Sequence, residues 1–285
     1  MKTELADGSI AYSYTGNQAL DPNKPAVVFI HGAQNDHSVW ALQSRYLAHH
    51  GYQVLAIDLP GHGASNGAPL PSIPALADWI NTLLDTLGIA RAVLVGHSMG
   101  SLIALACSHR HPGRVSGLAL IGSAFPMKVS EQLLTAAAND EAQAIDMICN
   151  WSHSGLTFWP GNPGFSVFML SKRLMQRQKP GVLAVDFNAC NEWEDGMEAA
   201  QACTCPTLLI SGANDMMTPA RAIKQIHLAL TDTATSSGQP SPKHLILPNC
   251  GHSIMAERPS EVLNALKPFL EACNATTPRK AVSSS

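Results

Sequence analysis

The chain has 285 residues, 46% of them hydrophobic and only 14% charged, which is enough apolar material for one large core. A net charge of -3 provides no basic face for nucleic acid or an anionic membrane, so neither partner is expected. Seven scattered cysteines read as reduced thiols packed as small hydrophobes, and Cys203 with Cys205 is too small a set for zinc.

The first residues, Met1 to Leu5, lack the apolar core of a signal peptide, and no apolar run approaches the roughly 20 residues needed to span a bilayer. A cytoplasmic location is the expectation. Asp7-Gly8 marks a tight turn, predicting an antiparallel pair over 2–14. Then come a strand over 27–30, a helix over 38–50, a strand over 53–57, a helix over 73–87, a strand over 92–95, a helix over 102–109 and a strand over 117–121. Such alternation is the signature of a parallel α/β sheet.

The rhythm stops after Ser123. Between Phe125 and Cys203 the pattern predicts helices over 130–151 and 165–178 and no strand, and the aromatics Trp151, Phe158, Trp159, Phe165, Phe168, Phe187 and Trp193 collect there. A strand over 207–212 resumes the order. The Thr-, Ser-, Gly- and Pro-rich stretch 232–243 reads as a surface loop before a last strand over 244–247, and 275–285 as a frayed tail.

Chemistry concentrates where the strand Val93-Leu94-Val95 breaks at Gly96-His97-Ser98-Met99-Gly100 and resumes as a helix of small residues. Glycines two before and two after Ser98 remove side chains that would clash in a sharp strand-to-helix corner, which lifts the hydroxyl toward a substrate. A neutral hydroxyl is a poor nucleophile and requires a base and a carboxylate to orient that base. Asp215, in the loop after strand 207–212, and His252, in the loop after strand 244–247, stand at strand ends in the order Ser, Asp, His. The twelve histidines do not cluster as ligands, and neither a metal nor a cofactor is predicted.

Two further motifs, Val27-Val28-Phe29-Ile30-His31-Gly32 and Asp58-Leu59-Pro60-Gly61-His62-Gly63-Ala64-Ser65, complete a set over which the chain, from about Pro25 to Pro268, resembles the α/β-hydrolase superfamily. The resemblance implies a mostly parallel eight-stranded sheet with helices on both faces and a helical cap inserted between strands 6 and 7. It divides the chain into a core over 1–124 and 204–274, a cap over 125–203 and a tail over 275–285. It implies the triad Ser98, Asp215 and His252, with an oxyanion hole from the backbone amides of Ala33 and Met99; Asp58 would brace its loop.

Pocket candidates are His31, Gln34, His97, Phe125, Trp151, Phe158, Trp159, Met216 and Ser253. Ser98 at the elbow, where epoxide- and halide-cleaving relatives carry Asp, directs the reading to acyl chemistry. The expected reaction is hydrolysis of a small carboxylic ester or lactone through an acyl-enzyme, with an acyl substrate and water as partners and the oligomeric state left open. Three alternatives stay open: a carbon-carbon hydrolase of a ketoacid, for which Arg173 or Arg177 would supply the cation; a cofactor-free perhydrolase; and a non-catalytic binding protein of the same fold.

Overall fold

Every residue of the apolar run Ala26–Ile30 is buried, as a strand covered on both faces must be. Its side chains alternate, Val28 and Ile30 entering one apolar cluster and Val27 and Phe29 the other, at the two-residue period of a pleated strand. In the computed structural model, which describes residues 1–155 and 166–275, this run belongs to an eight-stranded sheet. The strands are β1 (Lys2–Glu4), β2 (Ile10–Tyr14), β3 (Ala26–Ile30), β4 (Gln53–Asp58), β5 (Ala92–His97), β6 (Val115–Ile121), β7 (Thr207–Gly212) and β8 (Lys243–Leu247). They lie in the order β1-β2-β4-β3-β5-β6-β7-β8. The pairs β1–β2 and β2–β4 are antiparallel and all others are parallel.

The helices are α1 (Ala41–Ala48), α2 (Ile73–Thr86), α3 (Met99–Arg110), α4 (Glu131–Asn139), α5 (Glu141–Ser152), α6 (Val167–Gln176), α7 (Val182–Glu192), α8 (Gly196–Ala202), α9 (Lys224–Ser236), α10 (Ile254–Glu257) and α11 (Pro259–Ala275). Side chains of α2, α3, α8 and α9 fill the cluster on one face of the sheet, and those of α1 and α11 the cluster on the other. A third, smaller core belongs to the insertion after β6, where Leu133, Ala137, Ile145, Ile148, Leu183 and Phe187 pack together. Among the described residues no helix is long and apolar enough to cross a membrane.

Strand order turns around between β4 and β5, on either side of β3. That switch point opens a crevice at the carboxyl ends of β3 and β5, where open α/β sheets take their ligands. Ser98 follows β5 and the His31-Gly32-Ala33 loop follows β3, so the fold brings both to one place.

Three expectations need correcting. The helix predicted over 130–151 is two, because Asp140 leaves helical geometry (φ -147, ψ 76) and its carboxylate accepts from the Gln143 amide, starting α5 afresh. Helices α7 and α8 were not foreseen, and α8 packs against α3 and α9. Residues 232–236 are helix rather than loop, because α9 continues to Ser236. The hydroxyls of Thr231, Thr233, Thr235 and Ser236 donate to carbonyls four residues back, so residues that usually compete with a helix satisfy themselves on it. The proposed tail lies, from residue 276 onward, outside the described residues.

Candidate active site

Ser98 has φ 52 and ψ -121, a left-handed conformation that a side chain adopts only when its surroundings enforce it. Its amide donates to Ile121 O at 2.9 Å, and the Ser101 hydroxyl donates to Ser98 O at 2.6 Å. The flanking glycines are required by contact. A Cβ on Gly96 would stand 2.1 Å from Gly100 O, and one on Gly100 would stand 2.3 Å from Ile30 O. Met99 begins α3, so its amide is one of those at a helix start with no partner within the helix.

Asp215 and His252 meet. His252 Nδ1 lies 2.8 Å from Asp215 Oδ2, while Asp215 Oδ1 accepts from the amides of Met217 and Thr218, each at 2.8 Å. The Thr218 hydroxyl donates to Asp215 Oδ2 at 2.8 Å and lies 3.0 Å from His252 Nδ1. Burial alone would raise the Asp215 carboxyl, but the charge and hydrogen bond of His252, with those from Thr218, outweigh it and hold the group at about 2. Thr218 was missed from sequence; the signal was an Asp with Thr three residues on, the spacing of a side-chain-closed turn.

His252 is also fixed from the insertion. The amides of His252 and Ser253 donate to Ser152 O, at the end of α5, at 2.7 and 3.0 Å. Buried Glu257 accepts from the Gly251 amide at 3.0 Å, the Ser154 amide at 3.0 Å and the Ser154 hydroxyl at 2.6 Å. No pattern in the sequence marks that clamp.

The loop after β3 is held by buried polar groups. His31 Nδ1 donates to Gly32 O at 2.8 Å, and its Nε2 accepts from the Leu59 amide at 3.1 Å. Burial, together with the neighbouring His62 charge, lowers its pKa to about 4. Gln34, at φ 55, donates its amide to Asp186 of α7 at 2.9 Å. The same Asp186 oxygen lies 2.9 Å from His62 Nε2, while His62 Nδ1 faces Pro60 O at 2.9 Å. Acceptors at both nitrogens favour the protonated His62 ring: burial opposes its charge, but Asp186 outweighs burial and raises the pKa.

One cavity of about 680 Å³ receives Ala33, His97, Ser98, His252 and Ser253, a volume typical of small-molecule sites. Its described walls are mostly apolar, including Ile148, Leu170, Leu174, Met175, Phe187 and Met217. His97 Nε2 donates to His252 O at 2.8 Å, and burial with the His252 charge lowers its pKa to about 3, so it meets the cavity as a neutral ring.

The other pocket candidates sit elsewhere. His31 and Gln34 are fully buried struts of the loop. The Phe125 ring meets Trp193 edge-on with centroids 5.6 Å apart. Trp151 packs on the core of the insertion, and Met216 is 68% exposed, leaving the cavity to Met217. Phe158 and Trp159 lie outside the described residues. Asp36, His37 and Asp58 bring three potential metal-ligand atoms within 4.8 Å of one another. Their oxygens, however, already accept from Arg177, Gln178, Ser38, His37 and Ala64, which makes the group a brace.

Residues 27–266 match the model of the alpha/beta hydrolase family. A Klebsiella pneumoniae protein with the provisional name carbamate hydrolase is 29% identical over 226 residues, covering 73% of this chain and 80% of that protein. A pimeloyl-[acyl-carrier protein] methyl ester esterase of Nitrosomonas europaea is 25% identical over 261 residues, covering 85% of this chain and 94% of the relative. In three dimensions the chain is similar to the enol-lactonase of Burkholderia xenovorans, with a TM-score of 0.80 at 22% identity over 95% of this chain and 100% of that one.

Proposed function

Because the chain belongs to the alpha/beta hydrolase family, we propose that it is an enzyme hydrolysing a small carboxylic ester or lactone through an acyl-enzyme on Ser98. The observation that carries this reading is a serine on an enforced left-handed turn opening on the same cavity as an imidazole gripped by a buried carboxylate. His252, its Nδ1–H held by Asp215, takes the Ser98 proton at Nε2 as the hydroxyl attacks the acyl carbonyl. Asp215 keeps the ring in that tautomer and stabilises the imidazolium. The amides of Met99 and Ala33 receive the oxyanion; one such donor is worth about 3 to 4 kcal/mol in the transition state. The alcohol leaves with the proton from His252, and water, activated by the same ring, cleaves the acyl-enzyme. Helices α4 to α7 serve as the cap that keeps bulk water from this chemistry. The esterase name of the Nitrosomonas europaea relative supports ester cleavage.

The test is turnover of short-chain 4-nitrophenyl esters and γ-lactones, together with fluorophosphonate labelling read by peptide mass. Wild type turns over and is labelled at Ser98. Ser98→Ala loses labelling and at least about 10⁴ in turnover. A variant that keeps its activity would overturn the reading, as would a wild type that neither reacts nor labels, the behaviour of a binding protein of this fold. Ketoacids and peracid formation belong in the same panel, since both alternatives would run on these residues.

A further inference from the structure

We propose that Arg173 selects a substrate bearing a free carboxylate in addition to the scissile ester or lactone, an inference that rests on the hydrolase reading above. Helix α6 and its C-cap carry three cations, Lys172, Arg173 and Arg177, and two of them are spoken for. Lys172 pairs with Asp146 of α5. Arg177 forks onto buried Asp36 with contacts of 2.6 to 3.0 Å, where burial is overcome by the Ser38, Arg177 and Gln178 hydrogen bonds and the carboxyl stays near 2. Arg173, one turn before Arg177, has no ion pair or hydrogen bond among the described residues. Residues 156–165 and 276–285 contain no Asp or Glu, so those segments offer it no acidic side chain either.

Arg173 lines the cavity. Among the described lining residues there is no Asp or Glu, and the only Arg or Lys are Arg173 and the neutralised Arg177. Histidine adds no second cation on this wall. His153 Nδ1 donates to Cys149 O at 2.8 Å, leaving Nε2 to accept from the Ser171 hydroxyl at 3.2 Å, and burial lowers its pKa. An uncompensated guanidinium therefore stands beside Leu170 and Leu174. Arg173 is exposed to solvent, so water screens its charge and keeps a pair there modest, and its planar fork matches a carboxylate. A cavity of about 680 Å³ leaves room for an acyl chain or alcohol that carries that group.

The experiment compares kcat/KM for two matched pairs. One pair places the charge on the acyl side, mono(4-nitrophenyl) glutarate against 4-nitrophenyl pentanoate; the other places it on the alcohol side, 4-carboxyphenyl butyrate against phenyl butyrate. Wild type should favour the anion in at least one pair by about fivefold, the worth of one solvent-accessible ion pair. The preference should reside in KM, as expected for binding remote from the reacting bond. Arg173→Gln should bring that ratio to about one and Arg173→Glu below one, while Lys172→Gln, outside the cavity lining, keeps the wild-type ratio. Equal ratios in wild type and both Arg173 variants would overturn the proposal, as would a wild-type preference for the neutral ester in both pairs. Should no ester be turned over, the hydrolase reading is what fails, and the subsite is decided separately by melting temperature. Pentanoate should raise it more than neutral pentanamide does in wild type and not in Arg173→Glu; equal effects in both proteins would sink the subsite.

Discussion

At Ser98 the backbone is held in a strained conformation. Its φ of 52 and ψ of -121 suit glycine far better than any residue with a Cβ. Ser98→Gly should therefore be more stable than Ser98→Ala by about 1 kcal/mol in urea denaturation, strain relief exceeding the added freedom of the unfolded chain. Equal stability would mean that the turn is unstrained. The glycines beside it obey the opposite rule. At Gly96 a methyl would stand 2.1 Å from Gly100 O, a backbone atom that moves only if α3 withdraws from β5. Gly96→Ala is thus expected to cost about 3 kcal/mol or more, the upper range for overpacking, and a denaturation midpoint close to wild type would contradict the tight approach.

Helix α5 and the loop carrying His252 are one mechanical unit. Ser152 O takes the amides of His252 and Ser253, and Glu257 ties Gly251 to Ser154. Glu257→Ala strands two buried amides, at about 1 to 3 kcal/mol for each lost partner. It should lower stability by about 2 to 4 kcal/mol and speed hydrogen exchange at Gly251 and His252, with Glu257→Gln recovering part of both. Unchanged exchange would mean that β8 and α10 hold the loop without help. This unit also shows where sequence reading stops. The strands were legible because runs such as Val27 to Ile30 are buried on both faces and need no partner to be recognised. Ser98 and Asp215 could be named because each follows such a strand, and His252 because it follows the last strand, β8, whose side chains are mostly exposed. Thr218 bonds Asp215 at a local spacing of three residues, whereas Glu257 and Asp186 act through contacts made only when distant segments meet, and the Glu257–Ser154 contact spans 103 residues. Met217 rather than Met216 faces the cavity for the same reason: a loop has no period from which side-chain direction can be read.

For the whole molecule, folding decides which histidines carry a proton, and this sets how stability changes with pH. His31 and His97, ordinarily near 6.5, are held by burial at about 4 and about 3. The unfolded chain therefore binds protons at these positions below 6.5 while the folded chain refuses them, and each contributes stability that is complete above 6.5 and drains away as the pH falls toward 4. A loss on the order of 1 to 3 kcal/mol from each is expected. His62 works in the other direction: its raised pKa gives stability that is full below 6.5 and fades as the pH climbs through the raised value. Asp36 and Asp215, held at about 2, keep their contributions above the ordinary carboxyl value and begin to lose them only below about 4. Between pH 6.5 and 4 the two neutral rings therefore dominate, and the melting temperature should fall over that interval, measured at constant ionic strength. His97→Gln preserves a donor for the His252 carbonyl but cannot ionise. Its baseline should be lower and its pH slope shallower than wild type, and a variant with the wild-type slope would show that His97 does not govern the acid limb.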